Sequence, residues 1–482
     1  MTAMDELPRT IKRLGNRLIL IVIVSVFVAF ISSSAHMSDL ERVHARGQLV
    51  MLTIPGATTY FEDGHGKNGF DYLIAKAFAD SLNVKLVVKP QSTLRRLLLS
   101  VGGPQGDFAA ANIVATEARA KSLKFSQPFF EVTQQLIYRR GSKRPKSLDQ
   151  LEGDLVVITG SSHSEQLKKL RASVPNLSWS ERDDIEMSDL IRMVHAGEIP
   201  YTVVDSLAYL VNRHIYPRAR KAFDIAQPQT TAWAFASHSD DSLLNAANAF
   251  IDSYISSGKL AYLEQQLFAY IENFSVGDSQ RLGQLVARRL PKYEQMFRAT
   301  AQRFDMDWAL LAAVAYQESH WNPKARSPTG VRGLMMLTMD TAREMNVSNR
   351  LDAGQSLEGG AAYLVKLKAR LPKRIAEPDR TLFSLAAYNV GFGHLEDARV
   401  LTSRSGKNPD LWVDVRAHLP LLSKKQFYST VKYGYARGNE PVLYVDNIQY
   451  YRTYLQLHSL SQHNFEPPPE SPDLDTDTPA SL

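Results

Sequence analysis

Short apolar runs alternate with amphipathic ones from residue 42 to about residue 270. Residues 48–54 and 84–88 read as buried strands, and residues 70–82 between them read as an amphipathic helix. Residues 155–159 form another strand, followed by Gly160, Ser161, Ser162 and His163 and then a helix. Residues 201–205 form a strand that ends on Asp205. This alternation predicts an α/β domain with a largely parallel sheet, whose ligands bind beyond the carboxyl ends of the strands. After residue 271 the strand signals stop, and helical periodicity runs to about residue 460. The expected order is a leader over 1–35, an α/β domain over 36–273, a linker over 274–290, a helical domain over 291–462 and a tail over 463–482. That tail holds Pro467, Pro468, Pro469, Pro472, Pro479 and several acids without apolar periodicity, a composition that predicts disorder.

One polar residue interrupts the helical pattern in an informative place. Leu311, Val314 and Ala315 lie seven, four and three residues before Glu318, so at helical period they share its face. A carboxyl group on the core-facing side of a helix loses hydration, and its pKa rises. Such a group stays protonated near neutral pH and can serve as a general acid. Asn322 and Pro323 then end the helix, which places the acid where a cleft can open.

Composition narrows the function classes. Of the 482 residues, 44% are hydrophobic and 22% charged, which is ordinary for a globular protein large enough for two or three domains. The net charge of +6 is dispersed, with no dense Lys/Arg block, and this argues against a nucleic-acid partner. With no cysteine, disulfides, thiol nucleophiles, Cys-ligated metals and a lipid-modified cysteine are all excluded. No histidine cluster has metal-ligand spacing, and no metal or cofactor is expected. At the N-terminus, Lys12, Arg13 and Arg17 precede an apolar run over 18–31 and then Ser32, Ser33, Ser34 and Ala35. That order reads as an export signal cleaved near Ala35, with an uncleaved inner-membrane anchor as the alternative. Either way the bulk of the chain lies outside the cytoplasm.

The segment running from Thr116 through Arg119 to Phe129, taken with Gly69, Phe70, Asp71 and Asp205, resembles the periplasmic solute-binding proteins that capture amino acids. The resemblance covers roughly residues 42–270 and implies a two-lobed α/β domain. It implies that Arg119 clamps a ligand carboxylate with Thr116 beside it, and that Asp205 takes the ligand ammonium. It also implies that the turn at Ser161 and Ser162 offers amides to an anion. Asn112 and Val114 depart from that pattern, so the ligand stays open among an amino acid, a peptide and a muropeptide.

The second half resembles the lytic transglycosylases that cut bacterial peptidoglycan, a group related to goose-type lysozyme. Four motifs carry the resemblance, in order, over roughly residues 291–457. They are Glu318-Ser319 with the Asn322–Gly330 stretch, Gly333-Leu334-Met335, Ala387 to Gly391 around Tyr388 and Asn389, and Tyr444 to Ile448. The resemblance implies a mainly α, lysozyme-like domain, a peptidoglycan glycan strand as substrate and Glu318 as the catalytic acid. It assigns Ser319, Met335, Tyr388, Asn389 and Tyr444 to the substrate groove. Met336 stands where the second motif usually has glutamine, which removes an amide donor there. Glu344 and Glu358 are candidates for a second acid by composition only. Together the two halves predict an exported murein-cleaving lyase, periplasmic and peripheral on the outer membrane, with a ligand-binding domain. A non-catalytic murein-adhering sensor or a solute-binding protein is the alternative, and chitin is a further substrate to separate by test.

Overall fold

The computed structural model describes residues 37–463, apart from 64–65, 102, 104, 184, 273–275 and 328–329. The expected leader over 1–35 and all of the expected tail but residue 463 lie outside these residues. Among the described residues no helix is long and apolar enough to cross a membrane.

The chain divides into two compact units. One is made of the described residues within 1–55, 71–131 and 229–257, and the other of those within 56–70, 132–228 and 258–482. The first unit holds a five-stranded sheet in which Gln48–Thr53 lies parallel to both Lys85–Pro90 and Phe108–Ala109. Ala234–Ala236 then joins antiparallel between Phe108–Ala109 and Leu123–Phe125. Phe78, Phe108, Trp233 and Phe235 pack ring to ring in its core. The second unit holds another five-stranded sheet. Ser180–Arg182, Leu155–Ile158 and Tyr201–Asp205 run parallel, while Gln134–Arg139 lies antiparallel between Tyr201–Asp205 and Ala219–Asp224. Adjacent residues of each strand feed opposite cores, as the two-residue period requires. Leu136, Val157 and Val203 face one cluster, and Ile137, Val156 and Val204 the other.

The largely parallel sheet expected from the sequence is therefore corrected to two mixed sheets. The antiparallel members are entered where the chain crosses between the units, and the one of the first sheet, Ala234–Ala236, is only three residues long. The linker expected over 274–290 is corrected as well. Val276–Arg288 is helical, and Leu282 and Val286 are buried in the core of the helical part.

Asp71 shows what burial does to a carboxyl in the first unit. It is 1% exposed, and its Oδ2 accepts the Asn112 N–H at 2.8 Å. Asn112 has a left-handed backbone (φ 49°), a conformation that asparagine tolerates better than most residues. Burial pushes the Asp71 carboxyl from 3.8 up to about 7. A group that ionises near 3.8 when unfolded and near 7 when folded makes folding less favourable as pH rises between those values, by about 4 kcal/mol in all. Asp71→Asn is therefore expected to withstand more urea than the parent at pH 8, with the difference closing by pH 4. A constant difference across that range, read from denaturation of the first unit, contradicts the assignment.

Candidate active site

The helix Trp308–Ser319 carries the acid. Its N-cap, Asp307, accepts the Ala309 N–H at 2.8 Å. Trp308 to Tyr316 are buried on every face, so this is the central helix of its domain rather than an amphipathic one on the surface. The helix ends on two consecutive left-handed residues, His320 (φ 52°) and Trp321 (φ 56°). Such a pair persists only where the surroundings over-determine it. Here Trp321 Nε1 donates to Ala312 O at 2.8 Å, and Arg289 Nη1 donates to His320 O at 2.8 Å.

Glu318 is half-buried just inside that end. Two other helices supply its surroundings: Asp379–Val390, which carries Tyr388, and Asn439–His463, which carries Tyr444 and packs along both. Tyr444 Oη donates to Glu318 Oε1 at 2.6 Å. Tyr388 Oη donates to Met335 O at 2.8 Å, and the two tyrosine rings lie nearly parallel with centroids 6.5 Å apart. Burial pushes the Glu318 carboxyl up to about 7, against the opposing pull of the Tyr444 hydrogen bond. Burial and the Glu318 charge also raise both phenols well above their ordinary range, so each remains a hydrogen-bond donor. No other acid figures among the causes of the Glu318 shift. Glu358 is ion-paired to Arg303 at 2.7 Å and Glu344 to Lys366, so both candidate second acids are committed elsewhere.

The remaining expected groove residues divide into those that build the site and one that is open to solvent. Ser319 is buried, and its single hydroxyl proton is shared between Leu334 O at 2.8 Å and Ala315 O at 3.0 Å. It fastens the 333–335 loop to the acid's helix. Met335 is fully buried against Gly360, so its expected side-chain contact with substrate is corrected. Its main chain does the work, accepting from Tyr388 Oη and donating to Ser356 Oγ at 3.1 Å. Met336 takes a left-handed turn (φ 47°) and is half-buried. Asn389 is exposed near the end of its helix. Sequence reasoning missed Ser356, Asp307 and Arg452. Their partners are distant in the chain, and a lone Ser, Asp or Arg carries no local signal.

Residues 295–411 match the family model described as Transglycosylase SLT domain, and residues 53–270 match Bacterial extracellular solute-binding proteins, family 3. Proteins named membrane-bound lytic murein transglycosylase F are similar along nearly the whole chain. The one from Saccharophagus degradans is 46% identical over 94% of this chain and 91% of its own length. That from Pseudomonas fluorescens is 42% identical over 94% and 97%. The chain belongs to the membrane-bound lytic murein transglycosylase F family. Among solved structures, a mutant arginine-binding protein from T. maritima covers 47% of the chain at 23% identity, with a TM-score of 0.43. An ancestral arginine-binding protein bound to arginine covers 46% at 24% identity, with a TM-score of 0.42.

The residues expected to bind a solute lie in the stretch of this transglycosylase that matches the solute-binding family, and they form a second candidate site. In the first unit, Arg119 is 7% exposed, and its Nη1 donates to Val114 O at 3.0 Å. Thr116 Oγ1 accepts the Arg119 N–H at 3.3 Å and so holds the turn that presents the guanidinium. In the second unit, Asp205 is 3% exposed, and its Oδ1 meets His163 Nε2 at 3.0 Å. The expectation of an acid open to a ligand ammonium is thus corrected: a buried imidazole already engages it. The turn at 160–162 is also engaged. Gly160 N–H donates to Glu181 Oε2 at 3.3 Å, Ser161 N–H to Ile158 O, and Ser164 N–H to Ser161 Oγ. Glu181 Oε1 further accepts from Ser164 Oγ at 2.5 Å and from Trp179 Nε1 at 3.2 Å. Ser161 and Ser162 are buried beside it.

Proposed function

We propose that this lytic transglycosylase cleaves the β-1,4 bond between N-acetylmuramic acid and N-acetylglucosamine in peptidoglycan, with Glu318 as both acid and base. One observation supports the assignment above the others. The Glu318 carboxyl is half-buried, holds its proton up to about pH 7 and has Tyr444 as its hydrogen-bond donor, with no second acid contributing. Most glycosidases use two carboxylates. With one, the substrate must supply the missing group. Glu318 gives its proton to the glycosidic oxygen as the C1–O bond breaks, and the carbonyl oxygen of the substrate's N-acetyl group supports the positive charge at C1. The muramic 6-hydroxyl then attacks C1 and returns a proton to Glu318, which leaves a 1,6-anhydro end and the enzyme in its starting state.

Tyr444 orients the acid, and Tyr388 holds the loop that faces it. Exposed Asn389 is the candidate for contact with the N-acetyl group. At the N-terminal domain, a carboxylate-bearing effector such as an amino acid, peptide or muropeptide fits the guanidinium of Arg119. Family membership puts the protein in the cell envelope, and an N-terminal leader or anchor over 18–31 is the proposed means of reaching it.

Mass spectrometry of muropeptides released from purified murein tests this reading. The expected products end in anhydromuramic acid, one water lighter than hydrolysed ends. Reducing ends from the same digest identify a hydrolase instead, and digestion of chitin oligomers at an equal rate removes the muramic specificity.

A further inference from the structure

The hydrogen bond between Tyr444 and Glu318 is made at one end of the acid's helix, and a second tie is made at the other. Asp307, the N-cap, is 6% exposed and divides its carboxylate between two tasks. Oδ1 caps the helix through Ala309 N–H, while Oδ2 accepts from Arg452 Nε at 2.5 Å and Gln456 Nε2 at 3.3 Å. Arg452 and Gln456 lie on the same helix as Tyr444, Asn439–His463. Tyr444 and Arg452 are eight residues apart there, about 12 Å along its axis. Both ends of Trp308–Ser319 are thus tied to one long helix. Between the ties, the rings of Tyr316 and Tyr451 meet edge to face at 4.5 Å.

The packing around the far tie is open. Arg452, Thr453 and Gln456 line a cavity of about 70 Å³ together with Phe70 and Phe268. Beside that cavity the guanidinium is bound to a buried carboxylate, an ionic hydrogen bond stronger than a neutral one. We propose that Asp307 and Arg452 are positioning residues for the transglycosylase reaction, which set the register of the Tyr444 helix along the Glu318 helix so that the phenol meets the carboxyl. The proposal rests on the reading of Glu318 as the acid.

The test uses the pH profile of kcat, which a merely structural role does not move. The titratable groups facing Glu318 are Tyr444 and Tyr388, and both stay protonated throughout the working range. Donation by Tyr444 favours the Glu318 carboxylate, so slack in the register moves the alkaline limb of the profile upward. Arg452→Met, Asp307→Asn and Tyr444→Phe are each expected to raise that limb by about half a pH unit or more, with KM within about twofold of the parent. Tyr444→Phe combined with Arg452→Met is expected to add no further shift. Arg452→Lys, which keeps the charge, is expected to restore most of it. Asp307→Asn keeps a capping oxygen and so covers the case in which Arg452→Met does not fold. An unmoved limb in Asp307→Asn, or additive shifts in the double variant, overturns the proposal. Full activity in Glu318→Gln overturns the underlying reading instead, so the two failures are distinguishable.

Discussion

Glu318→Gln is expected to lower kcat for murein cleavage about 100- to 10,000-fold while leaving KM nearly unchanged. The amide is isosteric and can still accept the Tyr444 Oη–H, so the local hydrogen bond survives. It can neither give a proton to the leaving oxygen nor take one from the 6-hydroxyl, and both half-reactions stop. The variant should also be at least as stable as the parent above pH 7. The parent's carboxyl must ionise there in a site that resists charge, and the amide never does. For the parent, the protonated form needed in the first step is lost as pH rises through about 7, so turnover falls on that side. Retention of more than a tenth of the parent's kcat would mean that another group supplies the proton.

Gly333→Ala is expected to lower the melting temperature of the helical domain by about 6–12 °C, the effect of about 3 kcal/mol in a domain of this size, and to take most of the activity with it. A Cβ at Gly333 would stand 1.8 Å from Arg350 O and 2.8 Å from Ser356 Oγ, on a backbone with φ +91°. Backbone cannot retreat as a flexible side chain can, so the loop must move. That loop presents Leu334 O to Ser319 Oγ and Met335 O to Tyr388 Oη, and its shift loosens the wall around Glu318. Gly330→Ala is the matched control. Its φ of +88° is nearly the same, but a Cβ there meets nothing within 4 Å. It should lose only about 1 kcal/mol from backbone strain. Equal losses at the two positions would show that conformation, not close approach, governs the loop. Differential scanning of both variants separates the cases.

Much of this was visible in the chain. The strand Tyr201–Asp205 and the helix Phe70–Ser81 coincide closely with the sequence expectation, because each buries a continuous or amphipathic run that periodicity detects. The position of Glu318 near a helix end also follows from local residues. That it faces the core follows too, from Leu311, Val314 and Ala315 on its face, whereas the enclosure of the helix on all sides does not. What stayed hidden depends on distance along the chain or on brevity. Phe108–Ala109 is too short to display a period. Gly277 and Asp278 masked the helix that carries Leu282 and Val286 into the core. His163 and Asp205 lie 42 residues apart, and Asp307 and Arg452 lie 145 apart. Neither pair has a signature until the fold brings it together.

Glu181 gives the second unit a built-in rival for any anion that approaches the turn at 160–162. Its carboxylate holds Gly160 N–H and the Ser164 hydroxyl beside a helix start that would otherwise attract an anion. Because the rival is part of the chain, dilution never removes it, and its local concentration far exceeds that of a free solute. An incoming anion at this turn meets an exchange reaction rather than an empty seat. Such an exchange would have to break the Glu181 hydrogen bonds to Gly160 N–H and Ser164 Oγ before new ones form. Selectivity for a carboxylate ligand would then have to rest on contacts elsewhere.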